Sequence, residues 1–229
     1  PSDSQECKDF IKLAFEISEQ FDTPVLFRIT TRVAHSQSLV KLEERQNIEL
    51  KEYVKNPAKY VMMPGNARRR HVAVEARLEK LEEFAETTSL NKIEWKDTKI
   101  GVIVNGITYQ YVKEVLPEAS ILKLGMTFPL PKKLITEFAA KVDKLYVIEE
   151  LDPFIEDTVR AWNIDVHGKD IFPQIGELLP EVIAEKFHAR PSVPVSNLAP
   201  KETQPSDAPE APIRPPVLCP GCPHRGLFY

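Results

Sequence analysis

The sequence predicts an α/β fold, a small parallel sheet with helices on both faces. Two observations carry this. Between residues 99 and 188 short apolar runs alternate with amphipathic helical patterns across short joints, as right-handed βαβ units require. The runs are also apolar at nearly every position instead of every second one, which is the pattern of strands covered on both faces.

Length and composition bound the rest. A chain of 229 residues with 42% hydrophobic content holds enough apolar side chain for one core of ordinary size. The net charge is -4 with both signs interspersed, so no basic face is offered to nucleic acid or to an anionic membrane, and neither is expected as a partner. No apolar run approaches the roughly 20 residues that cross a bilayer, and the opening PSDSQECKDF lacks the charged and apolar regions of a signal peptide. Three cysteines, Cys7, Cys219 and Cys222, are too few and too unevenly placed for a disulfide framework. A reducing, cytoplasmic setting is expected.

Taken in order, Ser2, Asp3 and Ser4 are N-cap candidates for a helix whose apolar residues Phe10, Leu13, Ala14, Ile17 and Phe21 recur at helical spacing. Asp22, Thr23 and Pro24 stop it, and PVLFRIT reads as a buried strand. One helix and one buried strand make no sheet, so residues 1–38 read as the end of a domain begun elsewhere. Residues 39–98 are charged and largely helical, with Val74, Leu78, Leu81 and Phe84 as a stripe and Pro64, Gly65 and Arg68–Arg70 in a loop. The domain at 99–188 then runs KIGVIVNG, ITYQYVKEVL, SILKLG, PKKLITEFAAKV, KLYVIEE, PFIEDTVRAW, NIDVHG and ELLPEVIAEKF, strand and helix in turn. Pro131 stands near the first turn of its second helix. Residues 189–216 hold much of the chain's proline and few large apolar side chains, the composition of a semi-extended linker. Residues 217–229 are too short to fold alone.

Among the motifs, Cys219-Pro220-Gly221-Cys222 places two thiolates at a spacing that suits one metal ion or one iron of a cluster, with Gly221 free to adopt the turn between them. Reduced structural or redox cysteines fit the same spacing, and His224 reads equally as ligand, cofactor contact or turn residue. Thr30-Thr31-Arg32-Val33-Ala34-His35-Ser36 follows a strand pattern. In open parallel sheets ligands bind beyond the carboxyl ends of strands, which gives Arg32 and His35 a functional address; a polar strand exit satisfying loop backbone is the plainer alternative. Asn105-Gly106 reads as a tight turn, Glu149-Glu150 as a solvated strand end, and Arg68-Arg69-Arg70 as a solvated face or an anion clamp.

The strings LCPGCPHRG, KIGVIVNGITYQYVKEVLPEASILKLGMTFPLPKKLI, KVDKLYVIEELDPFIED and PVLFRITTRVAHS together resemble the alpha subunits of indolepyruvate ferredoxin oxidoreductases, within the thiamine-diphosphate-dependent 2-oxoacid:ferredoxin oxidoreductases. The resemblance implies that 1–38 is the C-terminal end of a pyrimidine-binding domain and 39–98 a helical connecting segment. It makes 99–188 a transketolase C-terminal-like α/β domain, 189–216 the linker, and 217–229 the start of a diphosphate-binding domain. The α/β domain is thus flanked by truncated pieces of thiamine-binding folds. The implied reaction is oxidative decarboxylation of an aryl pyruvate such as indolepyruvate to an aryl-acetyl-CoA, with reduction of ferredoxin. The implied cofactors of the complete subunit are thiamine diphosphate with Mg²⁺ and 4Fe–4S clusters; this stretch alone is expected to bind none and to be inactive. The implied partners are a beta (gamma-type) subunit and ferredoxin, with coenzyme A and the aryl pyruvate as substrates. By the same resemblance Arg32 and His35 belong to an exit loop at the active-site region. Gly221, His224 and Arg225 face the cofactor, and Cys219 and Cys222 are cluster ligands where further cysteines converge. Two rivals are a structural or subunit-interface module without activity of its own, and a small CxxC redox or zinc protein, which accounts for the C-terminus but not for the α/β domain.

Overall fold

The computed structural model describes residues 1–45 and 52–188. The first helix, α1 (Ser4–Phe21), starts where Asp3 accepts the Glu6 amide at 2.8 Å and ends where Asp22 turns into the left-handed region at φ 50°. Two short helices follow, α2 (Thr31–His35) and α3 (Pro57–Tyr60), and then the long α4 (Pro64–Thr87). The sheet contains β1 (Asn91–Glu94), β2 (Asp97–Asn105), β3 (Ala119–Leu124) and β4 (Lys144–Ile148) in the order β1-β3-β2-β4. β2 pairs in parallel with β3 and β4, and β1 lies antiparallel on β3. The crossover helices are α5 (Thr108–Val115) and α6 (Lys132–Ala139), followed by α7 (Phe154–Ala161) and α8 (Pro180–Phe187).

Side chains of alternate strand positions enter two separate cores. Val102, Val104, Ile121 and Ile148 pack with Tyr109, Val112 and Val115 of α5 and Ile183 of α8. Ile103, Leu122, Leu145 and Val147 pack with Ile135 and Phe138 of α6 and Ile155 and Val159 of α7. Helices therefore cover both faces, as the continuous apolar runs require. A third cluster joins Phe10 and Ile17 of α1 to Leu81 of α4 and to Leu90, with Phe21 and Phe84 edge-to-face at 5.3 Å.

Four local expectations are corrected. The sheet is mixed, because residues 91–94, read as part of the helical connection, form the antiparallel edge strand β1. The PVLFRIT segment is extended but unpaired among the described residues, with Leu26 92% exposed, because no neighbouring strand lies beside it. The arginine triplet lies on helix α4, which Pro64 opens at a position where its missing N–H is no loss. Its members do not converge: Arg70 pairs with Asp22 at 3.6 Å and Arg69 donates to Asn66 at 2.8 Å. Finally, NIDVHG makes only a bridge from His167 to Tyr146, since two bonds (Val147 N to His167 O, 2.8 Å, and His167 N to Leu145 O, 3.0 Å) are too few for a ladder.

Candidate functional site

The connection from β2 passes through α5 to β3 on one side, and the connection from β3 then crosses back to β4 on the other. The strand order reverses between β2 and β4, and the crevice at their carboxyl ends is where an open α/β sheet binds ligands. Here the rim is tied together. Thr108, 1% exposed, points its hydroxyl at the carbonyl of Asn105 at the end of β2 (2.6 Å) and at that of Ile148 at the end of β4 (3.2 Å). Gly106 occupies the left-handed region at φ 54°, so the tight turn expected at Asn105-Gly106 is present and uses glycine where a Cβ is strained.

Glu149, expected to be a solvated strand end, is 4% exposed. Its carboxylate accepts the Ile155 amide at 3.0 Å and the Glu156 amide at 2.9 Å, filling the N-terminus of α7. Burial pushes its carboxyl above the ordinary range, against the pull of those two amides. Glu149 is therefore a helix cap in place of a solvated end. Glu150 stays near the rim, accepting the Leu178 amide at 3.4 Å.

The exit loop is brought to this rim. Arg32 on α2 donates from Nε and Nη2 to the two oxygens of Glu177 at 2.5 and 2.8 Å, across 145 residues of sequence. This fork pairing holds the guanidinium charged, with Tyr111 of α5 and Glu150 also within its electrostatic reach. His35, at the end of the same helix, is exposed. Val33 between them is 4% exposed and anchors the turn. The hydroxyl of Thr30 is buried without a hydrogen-bond partner, the only such side-chain atom among the described residues. Arg32 and His35 thus share one short helix with Thr30 as its N-cap, tied by Arg32 to Glu177, whose neighbour Leu178 donates its amide to Glu150 just past the end of β4. Gly221, His224, Arg225, Cys219 and Cys222 lie outside the described residues.

Sequence reasoning missed two polar constellations. Glu177 stands in an ordinary helix approach and carries no local signal. Lys123 does carry one, a charge inside the apolar run SILKLG. Its ammonium is buried against Glu6 and donates to Ser2 Oγ at 2.8 Å, with the ring centre of Tyr109 at 3.9 Å. The first turn of α1 is therefore locked onto the end of β3 by a charge pair and a cation–π contact.

Three relatives are similar to the chain throughout. Indolepyruvate oxidoreductase subunit IorA from Pyrococcus horikoshii is 36% identical over 252 residues, that from Archaeoglobus fulgidus 36% over 242, and that from Methanothermobacter thermautotrophicus 35% over 244. Each match covers the whole of this chain and 38% of the relative. Over its whole length the chain is similar to indolepyruvate oxidoreductase IorA subunits. It spans well under half the length of the members it matches. No protein-family model matches it. A solved 2-oxoglutarate:ferredoxin oxidoreductase from Magnetococcus marinus, with 2-oxoglutarate, coenzyme A and succinyl-CoA bound, is 18% identical over 56% of this chain and 23% of that one, with a TM-score of 0.44. At that level nothing transfers from its site to this chain. No helix among the described residues is long and apolar enough to cross a membrane.

Proposed function

We propose that this chain is an internal stretch of an oxidoreductase subunit that oxidatively decarboxylates aryl pyruvates, indolepyruvate foremost, to aryl-acetyl-CoA with reduction of ferredoxin. The observation that carries the proposal is the match of the whole chain to IorA subunits at 34–36% identity. In this reading 1–38 ends a pyrimidine-binding domain, 39–98 connects, 99–188 is the transketolase C-terminal-like domain, 189–216 is the linker, and 217–229 opens a diphosphate-binding domain. The complete subunit works in the cytoplasm with a beta (gamma-type) subunit, coenzyme A and ferredoxin.

The described residues fit one part of the implied cofactor set and not another. Among them no three His, Cys, Asp or Glu side chains converge as a metal site, and Cys7 is the only cysteine among them, too few thiolates for a 4Fe–4S cluster. Cys219 and Cys222 are assigned to the cluster, and Gly221, His224 and Arg225 to the cofactor, of the complete subunit. The exit loop does fit a polar ligand. It offers an unpartnered buried hydroxyl at Thr30, an exposed imidazole at His35, and on Arg32 the three N–H bonds that Glu177 leaves unused. Thiamine diphosphate, when bound, supplies the carbanion chemistry of such a reaction. The part of this chain is to orient and to hold: the crevice fixes Arg32, and Arg32 and His35 present donors to the active-site region.

The test is a pair of titrations with thiamine diphosphate and Mg²⁺, on this chain and on the complete subunit with its partner. Saturable binding and indolepyruvate-dependent, coenzyme A-dependent reduction of ferredoxin by the complete assembly, with neither in the 229-residue chain, is the expected result. Tight binding or turnover by this chain alone refutes the division of labour. Iron and sulfide analysis of the complete subunit with Cys219→Ser and Cys222→Ser tests the cluster assignment, which an unchanged iron content in both variants rejects.

A further inference from the structure

We infer that Glu177 is a positioning residue of the complete enzyme: it latches the exit loop to the α/β domain through Arg32. This rests on the reading above, in which the loop borders the active-site region, and adds to it a residue from a different part of the chain.

The geometry is specific. Glu177 lies between the crevice-rim residues and α8, while Arg32 belongs to the N-terminal segment, and the two meet in a side-on fork with both carboxylate oxygens engaged. A fork–fork pair fixes orientation as well as distance, since the guanidinium plane must lie with the carboxylate plane. Helix α2 has only five residues, and so short a helix does not hold its own shape in water. The buried Val33 and the Arg32–Glu177 fork tie it to its surroundings. Val33 sets its depth. The fork sets its rotation, and with it the direction in which Thr30 and His35 face.

Glu177 and Glu150 are both among the charges acting on Arg32, so the carboxylates that surround the guanidinium also fix where its remaining N–H bonds are aimed. The pair is also exposed, with side-chain accessibilities of 55% and 37%, and such pairs contribute little to global stability. Its removal loosens one loop and leaves the fold intact.

Two measurements decide the matter. In the 229-residue chain, Glu177→Gln is expected to speed amide exchange at Ala34 and Ser36 roughly threefold without changing exchange in the strands. Arg32→Ala is expected to do the same, and the double variant no more than either. Unchanged exchange overturns the latch. In the complete subunit with its partner, Glu177→Gln is expected to lower kcat about tenfold at unchanged Tm, Glu177→Asp to recover part of it, and Arg32→Ala/Glu177→Gln to be no slower than Arg32→Ala. If Arg32→Ala slows turnover and Glu177→Gln does not, the latch is overturned while the functional reading of the loop stands. If Arg32→Ala and His35→Ala both leave turnover and thiamine diphosphate affinity untouched, the functional reading fails and the catalytic role of Glu177 fails with it. A slow Glu177→Gln beside a normal Arg32→Ala also overturns the latch, because Glu177 then acts by another route.

Discussion

Lys123 and Glu6 form the most consequential charge pair among the described residues, and removing either side has a calculable cost. Their side chains are 4% and 14% exposed. Truncation of one partner of a buried pair leaves the other charge stranded, typically a loss of about 3–5 kcal/mol. Glu6→Ala leaves the ammonium with Ser2 Oγ at 2.8 Å and the face of Tyr109 at 3.9 Å, which softens the loss to about 2–3 kcal/mol. For a unit of this size that is a fall in Tm of roughly 5–10 °C. Lys123→Met leaves Glu6 with the Ser2 amide at 2.8 Å and the Ser2 hydroxyl at 3.0 Å, and should cost a similar amount. Glu6→Met/Lys123→Met replaces the pair by apolar groups of like volume and should recover most of both losses, a coupling of about 2 kcal/mol or more.

The acid limb gives an independent reading of the same pair. Burial pushes the Glu6 carboxyl up, but the hydrogen bonds from Lys123 and Ser2 outweigh it and hold Glu6 below its ordinary value. Loss of water pulls the Lys123 ammonium down more than Glu6 raises it. An acid with a depressed folded pKa contributes stability that is present above its unfolded value of about 4.3 and is lost as pH falls through the folded value. Lys123→Met should make that acid loss shallower. Urea titrations followed by circular dichroism at neutral and acid pH test all of this. Single variants that shift Tm by under about 1 °C, or a double variant as unstable as the sum of the singles, would refute the reasoning.

Other expectations concern single contacts. Glu149 is raised by burial, so the folded state holds its proton longer and stability declines as pH rises from the unfolded value through the folded one; Glu149→Gln should flatten a plot of Tm against pH above the unfolded value of about 4.3. At Gly168 an added Cβ meets the buried Glu156 Oε2 at 2.2 Å, so Gly168→Ala should displace Glu156 from Arg160 and the Lys169 amide and cost about 1–3 kcal/mol in denaturant melts. A fragment of residues 91–188 should unfold in one cooperative transition, whereas 99–188 should melt lower because it bares the edge of β3 that β1 covers.

The alternation within 99–188 was legible because covered strands and amphipathic helices leave opposite periodicities, and the strands and helices from Lys99 to Phe187 fall within a few residues of their expected places, the short NIDVHG run excepted. The edge strand was not legible. NKIE has one large apolar residue in four and gains its place from pairing with β3, a long-range effect that local composition does not encode. Similarly, the apolar Val25, Leu26 and Ile29 read as a buried strand, yet burial needs partners that the described residues do not provide. Arg32 and His35 were singled out by the rule that ligands gather beyond strand ends, but the segment before them pairs with no strand among the described residues and the helix they occupy was not foreseen. Glu177 escaped because a partner 145 residues away leaves no trace in the spacing of either residue.

The antiparallel strand β1 also limits how this protein meets other chains. It is four residues long, carries Lys92 exposed and Glu94 in a charge pair with Lys113, and seals the flank of β3. On the opposite flank the bridge at His167 lies across the middle of β4. Short, charged or covered borders are poor templates for an incoming strand. Both borders of the sheet are therefore disfavoured as sites of β-addition or fibril seeding.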